Sequence, residues 1–320
     1  MSLGDASKDL RSHRNTRLLL GFMLLIALYF GARSVRRWYL RASKKPQVIT
    51  TLTEPSTILP KVVRNEHPRL TETLRTLQIG NRSRTYLELV PEGAQGKKLP
   101  LILVMHGDGG TGPGLHDGWA FESASGENAV LLYPTGTDRS WDLDARGLES
   151  DGTPKNEDTA FILGLIAHAK RTLPIDETKI FGAGYSSGAF FLNMISCRHA
   201  GTFRALGSNA AGAPYSEDET SFDGYARCPG EKPMPIIALH GTSDFGVSLA
   251  SGRFTAQYWA HENGCSLHEV ETTGYPECLA QRGCPSGNDV VYCEIDGLGH
   301  WVWDKNSEAT WTFFLNHGAK

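Results

Sequence analysis

One serine of this chain lies in a setting that could make its hydroxyl a nucleophile. Ser186 is the central residue of the stretch Gly184-Tyr-Ser-Ser-Gly188, and a probable strand over residues 179–183 leads directly into it. A Gly-x-Ser-x-Gly turn between a strand and a helix forms a nucleophile elbow, which raises the serine hydroxyl above the edge of the sheet. The glycines leave room where a Cβ would collide with the neighbouring strand and helix. The spacing therefore predicts Ser186 as the nucleophile of an acyl-transfer reaction.

A serine nucleophile needs a base that takes its proton and a carboxylate that orients the base. Asp244 is the next acid at the end of a predicted strand, and His300 follows the last predicted strand. The order serine, aspartate, histidine along the chain is that of the α/β-hydrolases. Order and position together predict Asp244 as the acid and His300 as the base. The alternative is that Asp244 caps a helix and His300 is an ordinary residue of a surface loop.

A glycine-rich segment could bind the oxyanion that forms during acyl transfer. It begins with His106-Gly107-Asp108, directly after a probable strand, and it continues with further glycines. Backbone N–H groups with little side-chain bulk around them suit that task. We predict donors at Gly107 or Asp108 and at Ser187. The segment lacks the spacing and the lysine of a phosphate-binding loop, and we predict structural roles for His106 and for His240.

The hydrophobic pattern predicts the elements that would position these residues. A hairpin turns at Gly80-Asn81, and Asp158 begins a helix as an N-terminal acid with a structural role. The predicted strands cover residues 74–79, 84–90, 99–105, 129–133, 179–183, 235–239 and 290–295, and the predicted helices cover 159–173 and 189–195. Short strands separated by helices indicate a mostly parallel sheet with helices on both faces. Ligands bind at the carboxyl ends of such strands, where the candidates lie, so we predict an α/β-hydrolase fold.

Five motifs occur in the same order in one known group of enzymes. They are His106-Gly-Asp-Gly-Gly, Tyr133-Pro134, Gly184-Tyr-Ser-Ser-Gly, His240-Gly-Thr-Ser-Asp244 and Gly299-His300-Trp-Val-Trp303. Together they resemble the esterase family that includes polyhydroxybutyrate depolymerases and feruloyl or acetylxylan esterases, over about residues 73–320. The resemblance implies an extracytoplasmic serine esterase with neither a metal nor an organic cofactor. It also implies Ser186 as nucleophile, Asp244 as acid and His300 as base.

The chain departs from this family at two places beside the site. Asp304 stands where the family has proline after the histidine motif, and Phe245-Gly-Val follows Asp244 where the family has Val-Pro. Both places shape the rim of the pocket, so they affect the identity of the substrate more than the reaction. Aromatic side chains that could bind a feruloyl ring or an apolar chain are Trp141, Trp301 and Trp303. The alternative is that these side chains only pack the rim.

The N-terminal region differs in composition from the rest of the chain. Residues 1–45 contain 10 Lys and Arg against 2 Asp and Glu, whereas the remainder contains 22 against 33. We predict a basic tail over 1–17, a signal anchor or signal peptide over 18–32, a stalk over 33–72 and a catalytic domain over 73–320. The acidic body argues against binding to nucleic acid, and the apolar segment predicts contact with a membrane.

Six cysteines lie in the second half of the chain, and their spacing matches no zinc site. We predict disulfides, and hence an extracytoplasmic location, with the pairs Cys197–Cys228, Cys265–Cys293 and Cys278–Cys284 as one of the arrangements that six cysteines allow. Reduced cysteines in a core are the alternative. The combined prediction is a serine carboxylic ester hydrolase acting on a small or oligomeric ester. A peptidase or thioesterase on the same fold, or an inactive binding domain, remains open.

Overall fold

A computed structural model describes residues 47–48, 59, 68–144, 154–215, 225–228 and 232–318. Its centre is one sheet of eleven strands. The strands are β1 (Gln47–Val48), β2 (Leu70–Ile79), β3 (Arg82–Pro91), β4 (Leu99–Met105), β5 (Val130–Pro134), β6 (Ile175–Tyr185), β7 (Ala205–Asn209), β8 (Ile236–Gly241), β9 (Glu269–Thr272), β10 (Cys278–Gln281) and β11 (Val290–Ile295). Their order across the sheet is β1-β9-β10-β11-β8-β7-β6-β4-β5-β3-β2.

The described helices follow the strands in an alternating pattern. They are α1 (Gly112–Gly118), α2 (Glu122–Ser125), α3 (Glu157–Thr172), α4 (Ser187–Arg198), α5 (Leu249–Glu262) and α6 (Asn306–His317), with one 3-10 turn at Thr137–Arg139. Six neighbouring strands, from β11 through β8, β7, β6 and β4 to β5, run parallel. The connection between two parallel strands has to cross a face of the sheet, and helices make such connections. Strands that are covered on both faces are apolar along their length, so in the sequence they form short apolar runs between helical segments. The predicted α/β-hydrolase fold is therefore observed.

The parallel strands are the best-buried part of the molecule. Every residue of β5, β7 and β8 is buried, as is every residue of β4 except Pro100. On one face Phe181 of β6 stacks on Phe314 of α6, with ring centroids 4.6 Å apart. Because side chains alternate between the two faces of a strand, strands buried throughout must be covered on both faces. This rigid centre fixes where the carboxyl ends of β4, β6, β8 and β11 meet.

The predicted hairpin is present and is longer than the hydrophobic pattern indicated. β2 and β3 pair from Leu70 with Pro91 to Ile79 with Arg82, so that β2 begins before the domain start predicted at Thr73. Two described parts of the segment 33–72, predicted as a stalk, contact the domain. β1 pairs in parallel with β9, and the side chain of Leu59 is buried in the core.

The disulfides correct two of the predicted pairs. Cys197 is bonded to Cys228, which agrees with the prediction. The other bonds join Cys265 to Cys284 and Cys278 to Cys293, so the predicted pairs Cys265–Cys293 and Cys278–Cys284 are wrong. The reason is the antiparallel pairing of β10 with β11, which places Cys278 directly opposite Cys293. Proximity along the chain gave no sign of this register.

The predicted basic tail over 1–17 and anchor over 18–32 lie outside the described residues. Within the described ranges, no helix combines the length and the apolar character that a membrane crossing needs. The membrane anchor therefore stays a prediction from the sequence.

Candidate active site

The elbow between β6 and α4 holds Ser186 in an unusual backbone conformation, with φ at 52°. Positive φ is unfavourable for a non-glycine residue, so the surrounding structure has to hold it. The N–H of Ser186 donates to the carbonyl of Asn209 over 3.0 Å. A Cβ on Gly188 would lie 2.4 Å from the carbonyl oxygen of His106, and one on Gly184 would lie 2.9 Å from the backbone of α4. Both glycines are therefore needed for the close approach of helix and strand.

The three residues predicted as nucleophile, acid and base come together at the carboxyl ends of β6, β8 and β11. His300 Nε2 lies 2.9 Å from Ser186 Oγ. The other ring nitrogen, Nδ1, lies 2.8 Å and 3.0 Å from the two carboxylate oxygens of Asp244. A proton on Nδ1 that is held by Asp244 leaves Nε2 as an acceptor for the serine hydroxyl. This is the arrangement that acyl transfer to a serine requires.

Asp244 is held in its ionised form by its surroundings. The side chain is buried, and its Oδ1 accepts from the N–H groups of Gly246 and Val247, each over 2.8 Å. Burial raises the pKa of Asp244, but the hydrogen bonds from His300 and from the Val247 N–H outweigh it, and the pKa lies below its usual value. The carboxylate of Asp244 is therefore held by N–H groups of its own loop as well as by the imidazole of His300.

Two residues that the sequence analysis did not assign hold His300 in place. A Cβ on Gly246 would lie 2.8 Å from Cγ of the His300 ring, so this glycine permits the acid loop to cover the imidazole. Tyr185 donates its hydroxyl to the carbonyl of His300 over 2.7 Å. Burial raises the pKa of Tyr185 to about 12, which keeps the phenol protonated as a donor. The position of Tyr185, directly before the serine, was the signal available in the sequence.

The segment predicted to bind the oxyanion lies against the serine. A Cβ on Gly107 would lie 3.2 Å from Cβ of Ser186, and a turn closed by the hydrogen bond from Gly110 N to Gly107 O follows it. Asp108 lies in that turn. Ser187 is the first residue of α4, and the first N–H groups of a helix have no acceptor within the helix. Gly107 and Ser187 thus lie directly beside Ser186.

His106 supports this segment from below. Its Nδ1 lies 2.7 Å from the carbonyl of Gly107, and its Nε2 accepts from the N–H of Gly136 over 3.0 Å. Burial lowers the pKa of His106, so the neutral ring with its proton on Nδ1 satisfies both contacts. The ring is tied to backbone at both nitrogens, in line with the predicted structural role.

The predicted substrate-binding tryptophans have different positions, and two of them need correction. Trp141 is buried, and its indole N–H donates to the carbonyl of His106 over 2.8 Å, so it packs a loop and does not face a ligand. Trp303 is also buried, with its ring edge-on to Tyr275. Trp301 is 47% exposed and contacts the ring of Tyr185 edge-on, 5.1 Å between centroids. Trp301 is therefore the one of the three positioned at an open rim.

One aromatic residue at the same rim was not among the predicted site residues. Phe245, between Asp244 and Gly246, is 99% exposed. It occupies the first of the positions where the chain departs from the Val-Pro of the family that it resembles.

Among the described residues, no group of three or more His, Cys, Asp or Glu side chains could hold a metal ion.

A buried pair of amides beneath the elbow was also missed. Asn209, at the end of β7, donates its side-chain N–H to the carbonyl of Gly184 over 3.1 Å and accepts from the side chain of Asn306. Both amides are buried, and Asn306 begins α6, the helix that follows the His300 loop. The pair therefore joins the strand beside the elbow to the segment that carries the base. The sequence Ala-Leu-Gly-Ser-Asn of β7 is too short and mixed to mark the strand.

Several proteins of known sequence or structure are similar to this chain. No protein-family model matches it. A probable feruloyl esterase C from Aspergillus terreus is 25% identical over 84% of this chain and 97% of the relative. Feruloyl esterase B from Piromyces equi is 24% identical over 66% of this chain, and the match spans 41% of that longer protein. The chain is similar to the feruloyl esterases. This confirms the predicted resemblance.

Solved structures support the fold. An acetyl xylan esterase from Aspergillus awamori superimposes with a TM-score of 0.58 and 16% identity, over 76% of this chain and 99% of that one. A poly(aspartic acid) hydrolase from Sphingomonas superimposes with a TM-score of 0.51 and 14% identity, over 78% of this chain and 98% of that one. Together with the curated relatives, these matches support the predicted enzyme class, a serine carboxylic ester hydrolase.

Proposed function

We propose that this chain hydrolyses carboxylic esters through an acyl-enzyme on Ser186, with His300 as general base and Asp244 as the orienting acid. The observation that carries the proposal is the continuous path from Ser186 Oγ to His300 Nε2, 2.9 Å, and from His300 Nδ1 to Asp244, 2.8 Å. The elbow conformation of Ser186 supports it, because a strained backbone at a serine between a strand and a helix is typical of a nucleophile.

In the first half of the reaction, Ser186 Oγ attacks the ester carbonyl carbon while its proton moves to His300 Nε2. The carbonyl π electrons pass to oxygen, and the negative charge faces the N–H groups of Gly107 or Asp108 and of Ser187. Asp244 stabilises the imidazolium without taking its proton. Collapse of the tetrahedral intermediate breaks the bond to the alkoxy group, which receives the proton from His300. In the second half, water repeats these steps and releases the acid.

The substrate class that we propose is a small or oligomeric ester with an apolar or aromatic acyl group. The exposed rings of Trp301 and Phe245 beside the triad support this class, because both present apolar faces to an incoming ligand. Feruloyl and acetyl esters come first because the similar proteins carry those names, and hydroxybutyrate oligomers come second. The three disulfides support an extracytoplasmic location, where such bonds persist.

The test is the initial rate of hydrolysis by the full chain, oxidised and purified in mild detergent. The substrates are methyl ferulate, a p-nitrophenyl acetate and a hydroxybutyrate dimer. Ser186→Ala should lower kcat on the active substrate by about 10⁴-fold or more, since a triad without its nucleophile retains little activity. Ser196→Ala is the matched control: this serine lies in α4, and its buried hydroxyl has no hydrogen-bond partner among the described residues.

Each outcome has a distinct meaning. Hydrolysis that persists in Ser186→Ala would contradict the assignment of the nucleophile. A folded wild-type protein that ignores all the esters but cleaves a thioester or a peptide would move the proposal to another acyl class. If no acyl substrate is hydrolysed and a fluorophosphonate does not label Ser186, the result would favour the alternative of an inactive binding domain.

A further inference from the structure

Asp158 is a fully buried carboxylate in the first turn of α3, away from the triad. Its Oδ1 accepts from the N–H of Thr137 over 3.1 Å and from the hydroxyl of the same residue over 3.0 Å. Its Oδ2 accepts from the N–H of Asp142 over 2.9 Å. A single side chain therefore ties both ends of the loop between residues 137 and 142. A helix N-terminal acid with only a local role would not need these contacts.

The charge of Asp158 is compensated by Arg84 of β3. The guanidinium donates to Asp158 Oδ1 and, over 3.1 Å, to the carbonyl of Thr135, and it lies 4.2 Å from the ring centroid of Phe161. Both side chains are almost completely buried. A buried ion pair is retained only where its remaining donors and acceptors are satisfied, and here backbone groups of the 135–142 segment satisfy them.

The loop that Asp158 holds is strained. Asp138 and Arg139 have φ values of 51° and 63°, in the left-handed region that non-glycine residues rarely adopt. Consecutive residues in that region persist only where contacts from outside the loop maintain them. The contacts from Asp158 at Thr137 and at Asp142 flank these two residues. Removal of the carboxylate would free the loop to relax.

This loop and Gly136, directly before it, make the contacts that hold the predicted oxyanion segment. Gly136 donates to His106 Nε2 over 3.0 Å, and the indole of Trp141 donates to the His106 carbonyl over 2.8 Å. His106 in turn lies 2.7 Å from the carbonyl of Gly107, which abuts Ser186. A shift of the loop would therefore move the His106 ring, and with it the backbone of Gly107 that is predicted to face the oxyanion.

We infer that Asp158 is a positioning residue for the oxyanion site, acting through the 137–142 loop, Trp141 and His106. This inference rests on the proposed function, since it assigns a purpose to the Gly107 segment. Asp158 touches no reacting atom. An amide at this position would replace one acceptor oxygen by an NH₂ donor. That NH₂ group would face either the N–H of Asp142 or the N–H of Thr137 and the guanidinium of Arg84, so Asp158→Asn breaks part of the clamp with little change of volume.

The test compares an oxygen ester with its thiono analogue, in which sulfur replaces the carbonyl oxygen. Sulfur is a weak hydrogen-bond acceptor, so the ratio of kcat/KM between the two substrates reports on the oxyanion donors. In Asp158→Asn we expect kcat for the oxygen ester to fall about 30-fold with KM nearly unchanged. The thiono ester should lose much less, so that the ratio falls about tenfold.

A control and a milder variant separate positioning from stability. Glu88→Gln alters a different buried carboxylate, which lies in β3 and is paired with Arg75. This variant should keep the wild-type ratio of kcat/KM between the two substrates. Thr137→Val removes one donor to Asp158 and should lower the ratio about threefold while the protein stays folded. An unchanged ratio in Thr137→Val and in folded Asp158→Asn would overturn the inference. Failure of the proposed function looks different, because wild type itself would then not hydrolyse the oxygen ester in a manner dependent on Ser186.

Discussion

Two histidines of this molecule occupy equivalent places and are held in different ways. His106 and His240 lie at the carboxyl ends of β4 and β8, each is buried, and each is followed by glycine. His106 has a partner for both ring nitrogens. His240 Nε2 lies 2.9 Å from the carbonyl of Val247 and 3.4 Å from Asp244, while its Nδ1 is buried without a hydrogen-bond partner among the described residues.

The difference shows that the same dipeptide can serve two kinds of support. At His106 the ring connects two backbone segments, one of which contains the residues that we propose to bind the oxyanion. At His240 the ring donates on one side only, to the loop that carries Asp244, and Gly252 of α5 packs against the other side. Burial lowers the pKa of both residues, so both are neutral near pH 7. The ring of His106 therefore holds two backbone segments, whereas the ring of His240 holds one.

The largest effect is expected from His106→Ala. Loss of the ring leaves the Gly136 N–H and the Gly107 carbonyl without this partner and opens a cavity below the oxyanion segment. We expect kcat for an oxygen ester to fall about 100-fold and the free energy of unfolding to fall by about 3 kcal/mol. Ester kinetics and urea unfolding measure the two effects.

His317→Ala is the matched control for that change. His317 is buried and hydrogen-bonded at both nitrogens, to the Phe313 carbonyl and to Asp289, but it lies near the end of α6. It should lose stability by a similar amount and keep its kcat. Equal losses of kcat in the two variants would show that the role of His106 is general stability alone.

The next effect concerns the disulfides, whose cysteines all follow Ser186 along the chain, since the first 196 residues contain no cysteine. Cys278–Cys293 closes a loop with a separation of 15 residues, and Cys278→Ser with Cys293→Ser should lower the free energy of unfolding by about 3 kcal/mol. Since β11 leads to His300, kcat should fall equally for an oxygen ester and its thiono analogue.

The Cys197–Cys228 bond provides the comparison for that double variant. Cys197→Ser with Cys228→Ser should lower stability by a similar amount, since the sequence separation of 31 residues is about twice as long and a doubling adds only about 0.6 kcal/mol. It should leave kcat unchanged. If the thiono ratio moved in the Cys278 and Cys293 variant, the oxyanion and acid sides would not be independent, and the contrast between the histidines would be wrong.

A smaller effect is expected at His240. His240→Ala removes the donor to the Val247 carbonyl and loosens the Asp244 loop, so kcat should fall about tenfold. His240→Gln can place an amide N–H where Nε2 lies, and it should recover most of that loss. The kcat values of the two variants test this directly. Equal kcat in both would mean that the volume of the ring matters and its hydrogen bond does not.

The smallest effect is on the pH dependence of stability. A histidine whose pKa is lowered by folding stabilises the protein above its unfolded pKa, about 6.5, and this contribution is lost as the pH falls from there toward the folded pKa. His240→Gln should therefore reduce the slope of unfolding free energy below pH 6.5, by at most about 1.4 kcal/mol per pH unit. His116, whose pKa is raised by its hydrogen bond to Glu122, contributes with the opposite sign.

Unfolding at several pH values measures these slopes. His116→Gln should change the curve above pH 6.5 instead. The raised pKa of His116 adds stability that is complete below pH 6.5 and is lost as the pH rises through the folded pKa, so removing this histidine makes the slope there more positive. Parallel curves for the wild type and His240→Gln would contradict the neutral, buried state assigned to His240.

The sequence allowed prediction of those features that depend on local chemistry. Ser186, Asp244 and His300 each lie in a short motif that follows the end of a strand, and a parallel sheet brings such ends together at one edge. The register of β10 against β11 is not local, so the bonding of Cys278 to Cys293 could not be predicted. The orientation of Trp141 could not be predicted for a similar reason, because it depends on a hydrogen bond to the carbonyl of His106, which lies 35 positions earlier.

The supporting residues were harder to find than the reacting ones. Asn209 belongs to a strand with too little apolar character to be detected, and Asp158 has the ordinary appearance of a helix-capping acid. Their importance comes from backbone groups that they hold, and a backbone donor or acceptor leaves no mark in a sequence. Side chains that act on substrate are encoded by residue type, whereas those that act on the main chain are visible only in three dimensions.

Finally, two of the disulfides overlap along the chain. Cys265 is bonded to Cys284, and Cys278 to Cys293. A protease that cuts the backbone at any one bond between Cys265 and Cys293 therefore leaves two pieces that are still covalently joined. The piece bearing His300 stays with the piece bearing Ser186, so a nicked molecule keeps its reacting groups together, and their separation requires both a cut and a reductant.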